Sequence, residues 1–246
     1  MKVMKYKISF GTSDFREIVG NHNFFVDKSL FIKELLEENT KVILIPRPRR
    51  FGKSLNFSML KYFFDMKEDS FSLFKNLKII KEQKCLEHMN KYPVLSITFK
   101  DVFGDSWPEV EGEINLRISE IYAKYKKEVW EVLTEEEKKV YKQLESKTAE
   151  RREVKNSIKK LTEILHRKYG KEVILLIDEY DAVMTSMYGK EGFDSCMGIF
   201  RGIYEKALKE NESLHRALMT GITRVAKEGI FSGLNNIKVY GETQNK

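Results

Sequence analysis

The sequence predicts an α/β fold built on a central parallel sheet. Short apolar runs rich in β-branched residues predict strands, and longer segments with helical periodicity separate them. Two of the runs, residues 42–45 and 173–177, are continuously apolar, as strands are when helices cover both faces of the sheet. Strands that alternate with helices form right-handed crossovers and therefore a parallel sheet. The predicted strands are residues 41–46, 93–99, 173–177 and 214–220.

Helical periodicity predicts the elements between these strands. Residues 124–168 are rich in lysine and glutamate with apolar residues at helical spacing. This pattern predicts a charged helical hairpin or lid, inserted at about residues 105–169 before the third strand. Asp27-Lys28-Ser29 precedes an amphipathic stretch and predicts a capped helix start. The predicted helical stretches are residues 54–64, 107–125, 135–169 and 194–210.

The composition excludes several classes of protein. With 41% hydrophobic and 33% charged residues, the 246-residue chain is too apolar to be disordered, and we expect one domain. No segment has the apolar length of a signal peptide or a membrane span, so we expect a cytoplasmic protein without a membrane partner. The net charge of +7 would attract nucleic acid, but lysines mixed with glutamates are typical of a solvated face. Cys85 and Cys196 are predicted to be buried free thiols.

A strand, a loop and a helix start follow one another around Gly52-Lys53-Ser54, which is the order of a phosphate-binding Walker A motif. Gly52 would let backbone amides approach phosphate oxygens, and Lys53 would place its ammonium on the β- and γ-phosphates. The Ser54 hydroxyl would complete a Mg²⁺ shell at the N-terminus of the helix. These residues predict a P-loop nucleoside triphosphatase.

The loop departs from the full motif at its first position, where Arg47 replaces a glycine. A side chain there limits the positive-φ conformations open to glycine, while Arg49 and Arg50 would add positive charge to the loop. The alternative is a chance Gly-Lys-Ser tripeptide at a helix start. The predicted nucleotide-binding residues are Arg49, Arg50, Phe51, Gly52, Lys53, Ser54 and Leu55.

The third predicted strand ends in two adjacent carboxylates, as a Walker B strand does. Asp178 would hold Mg²⁺ through water beside Ser54, and Glu179 would polarise the attacking water as a general base. Ligands of open α/β sheets bind at the carboxyl ends of strands, where both motifs fall. A solvated acidic loop is the alternative for the pair by itself. Asp181 is either a helper in this acidic cluster or the N-cap of the following helix, and the cap is the favoured prediction.

The end of the fourth predicted strand offers two further candidates. Thr220 would sense the γ-phosphate, and Arg224 would reach the nucleotide or a partner's phosphate. A strand-ending turn with a surface arginine explains the same residues equally well. The predicted catalytic residues are Lys53, Glu179, Thr220 and Arg224, and the predicted metal ligands are Ser54 and Asp178.

Four segments in this order resemble the prokaryotic AAA-ATPase-like family. They are Phe25-Val26-Asp27-Lys28-Ser29, Arg47-Pro48-Arg49-Arg50-Phe51-Gly52-Lys53-Ser54-Leu55, Leu176-Ile177-Asp178-Glu179-Tyr180-Asp181 and Thr220-Gly221-Ile222. The family has a degenerate loop of this Arg-Pro-Arg-Arg-Phe-Gly-Lys type, which implies that Arg47 is a family trait. The resemblance implies the three-layer sandwich of a P-loop NTPase that uses ATP and Mg²⁺. Residues 232–236 also resemble the family, without an assigned role.

Members of the family commonly continue into a C-terminal domain that is similar to restriction endonucleases. Because this chain stops at Lys246, the resemblance implies a truncated chain, with a fifth strand and a helical lid beyond its end. Glu82-Gln83-Lys84 has the Glu-x-Lys spacing of a nuclease centre, but it is not on a predicted strand. We therefore expect no nuclease activity from this chain.

The sequence leaves more than one function open. The first is an ATP-binding protein that hydrolyses ATP with Mg²⁺ and thereby drives a conformational change in a fused or separate partner. The second is a basic module that binds DNA or RNA, with a nucleotide site that is vestigial or a switch. The third is a truncated chain that folds poorly without its lid. The candidate partners are ATP, nucleic acid, a protein partner or nuclease-like domain, and further copies of the chain.

Overall fold

The computed structural model has an α/β architecture, with five parallel strands flanked by helices. It describes residues 11–21, 23–222, 230–231 and 237–241. The chain divides into two compact units: residues 1–39 and 49–94 form the first unit, and residues 40–48 and 95–246 form the second unit. This architecture confirms the predicted fold class.

The second unit contains the sheet, whose strands lie in the order β2-β3-β4-β1-β5. The strands are β1 (Val42–Pro46), β2 (Val94–Thr98), β3 (Val173–Asp178), β4 (Leu214–Gly221) and β5 (Ile237–Val239). The first four confirm the predicted strands almost residue for residue. The expectation that a fifth strand lies beyond the chain is wrong, because β5 pairs in parallel with β1. Three residues are too few to give a strand pattern in the sequence.

Strand β4 is central and pairs in parallel with both β3 and β1. Leu218 aligns with Leu176 of β3 on one side and with Ile43 of β1 on the other, and all three side chains are fully buried. Neither face of the sheet is exposed to water at these positions. This burial explains why the strands have continuously apolar sequences.

Five helices of the second unit follow the sheet strands in the chain. They are α6 (Trp107–Val129), α7 (Glu135–Glu145), α8 (Arg151–Tyr169), α9 (Ala182–Met187) and α10 (Phe193–Leu208). The helical stretch predicted over residues 135–169 consists of two helices, since α7 ends at Glu145, Lys147 has a φ of 63° and α8 begins at Arg151. Left-handed backbone interrupts an α-helix, and lysine gives no signal of such a break in the sequence.

The charged helices between β2 and β3 are part of the main core. Tyr122 on α6 and Leu161 on α8 are fully buried in the same apolar cluster as Leu175 of the sheet. Buried hydrogen bonds tie these helices together, because the Tyr122 hydroxyl donates to the Ser157 carbonyl (2.8 Å) and the Tyr141 hydroxyl to the Tyr122 carbonyl (2.6 Å). The predicted hairpin is thus a layer of three packed helices.

The first unit is helical and has an aromatic core. Its elements are α1 (Phe15–Gly20), α2 (Phe31–Glu37), α3 (Lys53–Phe64), α4 (Phe71–Phe74), a 3₁₀ turn (Lys78–Lys81) and α5 (Gln83–Leu86). The buried ring of Phe74 lies 4.9 Å from that of Phe15 and 5.3 Å from that of Phe63. This cluster packs α1, α3 and α4 against one another. The large aromatic side chains bury enough apolar area to hold these short helices together.

The side chains before α2 do not cap it. The helix does follow them, but its N-cap position is Leu30, which has no polar group. Asp27 and Ser29 instead accept hydrogen bonds from the backbone N–H groups of Lys78 (2.8 Å) and Ile79 (3.1 Å). The predicted cap is wrong, because both side chains instead satisfy backbone N–H groups that are distant in the chain.

The structure also bears on three other sequence features. Cys85 and Cys196 are free and buried, and burial raises the pKa of the Cys196 thiol to about 12. Gln83 and Lys84 belong to α5, so the Glu-x-Lys segment is not on a strand. In the part of the chain that the structure describes, no helix is both long and apolar enough to cross a membrane.

Replacing Gly192 with alanine tests the packing at the start of α10. Gly192 has a φ of 85°, and an added Cβ would lie 2.3 Å from the Cβ of Trp107. Gly189 is the matched control, because its φ is 75° but nothing lies within 4 Å of its added Cβ. We expect Gly192→Ala to lower the free energy of unfolding by about 2 kcal/mol more than Gly189→Ala does. Equal losses in denaturant titrations would contradict the contact with Trp107.

Candidate functional site

The loop after β1 leads into the N-terminus of α3. Left-handed backbone occurs at Arg50 (φ 68°) and at Gly52 (φ 76°), and the helix begins at Lys53. The Gly52 carbonyl accepts the Asn56 N–H at 2.9 Å, which closes the first turn. N–H groups of a first turn have no partner within the helix and carry the positive end of its dipole. Such a terminus suits an anion, and Lys53 and Ser54 belong to this turn.

Arg47 has a structural task at the position where the full motif has glycine. Its guanidinium donates to the carbonyl oxygens of Pro46 (2.8 Å) and Tyr240 (2.7 Å), and its N–H donates to the Gly221 carbonyl (3.0 Å). The left-handed conformations of the loop occur at Arg50 and Gly52, so the described loop places no positive φ on Arg47. Arg47 therefore fixes the start of the loop to the ends of neighbouring strands.

The carboxyl ends of three strands lie side by side in the second unit. Asp178 of β3 aligns with Thr220 of β4, which in turn aligns with Ile45 of β1. The buried Thr220 hydroxyl donates to the Ile45 carbonyl at 2.7 Å. Since a contact with phosphate would require this hydroxyl to rotate, the sensing role of Thr220 stays a prediction.

The two carboxylates after β3 lie on an unusual backbone. Glu179 has a φ of 51°, and its N–H donates to the Asp178 Oδ1 at 3.0 Å. A left-handed non-glycine residue costs about 1 kcal/mol or more, and such residues concentrate at functional sites. The conformation turns the chain immediately after the strand, and both side chains are half-buried at its end. The sequence showed the two carboxylates but gave no signal of this turn.

Asp181 lies at the N-cap position of α9, but its side chain serves another element. Its carboxylate accepts the Ile222 N–H at 3.2 Å and 3.0 Å, and among the described residues it makes no capping bond to α9. The prediction of a cap is therefore wrong. An added Cβ on Gly221 would lie 2.2 Å from the Asp181 Oδ1, so only glycine allows this approach. Asp181 holds the chain as it leaves β4.

Some predicted residues lie outside the described part of the chain. Arg224 is one of them, and residues 232–236 are others. The roles predicted for Lys53, Ser54 and Glu179 stay predictions as well. The structure groups Arg49 to Leu55 in the first unit and aligns Asp178 with Thr220 in the second unit.

The first unit also contains a cavity that sequence reasoning missed. Its volume is about 420 Å³, and its lining includes Phe24, Val26, Phe51, Gly52 and Leu55. The signal in the sequence was weak, because single apolar residues among polar ones resemble an ordinary half-buried segment. The cavity adjoins the residues on both sides of Lys53 and Ser54 in the chain.

The charged helices of the second unit carry ion pairs on their surface. Arg167 binds Glu137 at 2.6 Å, and Lys126 binds Glu145 at 2.7 Å. Paired charges reduce the positive potential that would attract a phosphate backbone. This arrangement favours the solvated face predicted from the mixed sequence.

Together the five-stranded parallel sheet and its flanking helices define a P-loop NTPase-like sandwich. A family model described as "Predicted AAA-ATPase" matches residues 9–231, and the chain belongs to that family. The chain is similar to the "Uncharacterized protein in vnfD 5'region" of Azotobacter chroococcum mcd 1, with 27% identity over 233 residues. The match covers 94% of this chain but 40% of that relative, so the chain spans less than half of its length. No solved structure gives a significant match.

The hydrogen bonds that the Asp27 carboxylate accepts, here called the Asp27 clamp, predict that stability depends on pH. Burial opposes ionisation, but hydrogen bonds from Ser29 and the Lys78 N–H outweigh it and lower the pKa of Asp27. A lowered pKa contributes stability above the unfolded value of about 4, and this contribution disappears as the pH falls through the folded value. We expect Asp27→Asn to lower the free energy of unfolding by about 2 kcal/mol at pH 7. The side-chain NH₂ group would then face a backbone N–H donor in place of one carboxylate oxygen.

Denaturant titrations of the wild type and Asp27→Asn from pH 7 to about pH 3 measure this effect. The difference in unfolding free energy between the two proteins should shrink at the acid end. Asp69→Asn is the control, because Asp69 belongs to the same unit and is exposed. A difference that stays constant down to the acid end would contradict the charged clamp.

Proposed function

We propose that this chain binds ATP and hydrolyses it in a Mg²⁺-dependent reaction. Membership in the predicted AAA-ATPase family supports nucleotide use in general. The observation that carries the proposal is the loop that turns at Gly52 and starts a twelve-residue helix at Lys53-Ser54. Residues 1–246 serve in this proposal as one ATPase domain. Its predicted cytoplasmic location is part of the proposal.

The loop residues bind the phosphates. N–H groups of the first turn of α3 donate to phosphate oxygens, and the Lys53 ammonium neutralises charge on the β- and γ-phosphates. Arg49 and Arg50 are exposed in the same loop and add positive charge around the nucleotide. Phe51 and Leu55 complete the set of residues that contact it. Binding in this form is mostly electrostatic and depends on the backbone turn at Gly52.

The residues present suit a magnesium ion. Mg²⁺ in nucleotide sites takes one or two protein oxygens, with substrate phosphates and waters as its other ligands. The Ser54 hydroxyl on α3 and the Asp178 carboxylate at the end of β3 are oxygen groups of this kind. When bound, the metal neutralises charge that develops on the phosphates. We assign these two residues to it.

Glu179 acts on the attacking water. As the water oxygen bonds to the γ-phosphorus, the bond from that phosphorus to the bridging oxygen of ADP breaks, and a proton passes from water to the Glu179 carboxylate. The left-handed backbone at Glu179, directly after β3, supports this role, because such conformations concentrate at functional sites. Thr220 and Arg224 contribute in this proposal by contacting the γ-phosphate.

Hydrolysis serves a conformational change in a partner. The relative from Azotobacter chroococcum extends well beyond the matched region, which supports a coupled domain in proteins of this kind. In this proposal, the conformational change could also be coupled to a separate protein partner or to further copies of the chain. The ion-paired helices of the second unit give less support to nucleic acid as the partner.

Variants of Lys53 and Glu179 separate binding from turnover. We expect Lys53→Ala to lose ATP affinity at least tenfold, since one charge-assisted contact is worth about 1.5 kcal/mol or more. Glu179→Gln should bind ATP normally but release phosphate about 100-fold or more slowly, because general base catalysis is lost. Isothermal titration and a phosphate-release assay measure the two quantities.

Exposed residues provide the controls for these variants. Lys75→Ala and Glu191→Gln remove the same charges at exposed positions of the respective units and should leave both quantities unchanged. If the folded wild type ignores ATP, the ATPase proposal fails. Nucleic-acid binding that weakens steeply with salt would then support the binding-module alternative.

The metal assignment has its own test. We expect Asp178→Asn and Ser54→Ala to raise the Mg²⁺ concentration that gives half-maximal phosphate release about tenfold, because each removes one oxygen group suited to the ion. Asp194→Asn is the control, since Asp194 lies in the same unit as Asp178, in the first turn of α10. An unchanged Mg²⁺ dependence in both site variants would remove these residues from the metal shell.

A further inference from the structure

We propose that Phe24, Val26 and Phe51 form a subsite that binds the purine base of the nucleotide. This inference rests on the proposed function and names the part of the site that recognises the base. All three residues line the cavity of about 420 Å³ in the first unit. Cavities that bind small molecules commonly have volumes of about 300 to 1,000 Å³. The volume is therefore sufficient for a base and its ribose.

The apolar residues of this cavity are exposed to an unusual degree. Phe24 is 56% exposed, Val26 is 59% exposed and Phe51 is 58% exposed. Large apolar side chains scattered singly over a surface need no explanation, but a cluster around one cavity indicates a binding site. Phenylalanine rings stack on the faces of nucleobases, which bury apolar area on both sides. A flat aromatic ligand thus fits the lining.

The segment that carries Phe24 and Val26 is anchored at Phe25 and at Asp27. The ring of Phe25 packs edge-on against the buried Phe15 at 5.4 Å. Asp27 accepts the Lys78 N–H at 2.8 Å. Exposure alternates along the segment, with Phe24 and Val26 exposed and the residues between and after them half-buried. The backbone that presents the two apolar side chains is therefore held in place before any ligand arrives.

The cavity joins the phosphate-binding loop within the same unit. Gly52 and Leu55 belong to its lining and flank Lys53 and Ser54 in the chain. A base in the cavity would leave its phosphates beside the first turn of α3. Arg50 also lines the cavity, and its charge suits an anionic nucleotide better than a neutral apolar ligand.

Polar groups at the cavity fit a nucleobase as well. Asn56 lies in the lining, and its amide can both donate to and accept from the edge of a base. Lys28 lines the cavity too and is exposed. An apolar cavity with few polar groups is the usual form of a site that orients a small ligand.

The test compares ATP with one ligand that contains only its phosphates and one that contains only its nucleoside. Isothermal titration would measure the affinities of ATP, inorganic tripolyphosphate and adenosine for the wild type and for Phe24→Ala. We expect Phe24→Ala to weaken ATP and adenosine about tenfold and to leave tripolyphosphate within about twofold, because only the stacked base is lost. Phe24→Tyr should restore the affinity for ATP, since it keeps the ring.

Phe71→Ala is the matched control. Phe71 is 53% exposed and belongs to the first unit, but it is not part of the cavity lining. We expect this variant to bind all three ligands as the wild type does. Equal affinities of the wild type and Phe24→Ala for ATP and adenosine would overturn the base subsite, and so would an equal loss of tripolyphosphate binding.

The ligands also separate this inference from the proposed function. Binding of tripolyphosphate without adenosine, and with no tighter binding of ATP, would overturn the base subsite and leave the phosphate loop supported. Adenosine binding that depends on Phe24, without binding of tripolyphosphate or a contribution of Lys53, would support the subsite and overturn the ATPase proposal. A folded wild type that binds none of the three ligands would overturn both.

Discussion

The parallel pairing of β4 with both β3 and β1 is the constraint on which the candidate site of the second unit depends. Because Thr220 aligns with Asp178 on one side and with Ile45 on the other, the three strands end at the same edge. A shift of one residue in either pairing would turn every side chain of the shifted strand to the other face of the sheet. The buried apolar side chains of β4, such as Leu218, prevent that shift and thereby fix the positions of the polar ends.

Long-range hydrogen bonds from side chains fix the loops that the strand pairing does not fix. Side chains that a local pattern assigns to helix caps bind instead to backbone N–H groups far away in the chain, as Asp27 does at Lys78 and Asp181 at Ile222. Asp27 holds the segment that follows Phe24 and Val26, and Asp181 holds the chain that follows Thr220. These neighbouring residues are proposed to contact the nucleotide. Fixed loops need little rearrangement when a ligand binds, which lowers the entropic cost of binding.

The sequence predicted the features that depend on short stretches of chain. Four strands followed from apolar runs, and the helix start after Gly52 followed from the loop pattern, because both patterns are local. The break after α7, the strand β5 and the partners of Asp181 depend on residues distant in the chain or on a single left-handed residue, Lys147. The cavity at Phe24 was hidden for the same reason, since its lining comes from separate segments.

The tether made by Arg47 has a mechanical consequence. One guanidinium joins the end of β1 to the residue that follows β5, and the Tyr240 N–H also donates to the Leu44 carbonyl at 2.9 Å. A glycine at this position could not make the side-chain part of that junction. A pull on the chain after Tyr240 would therefore act on Arg47, the residue at which the proposed phosphate loop begins.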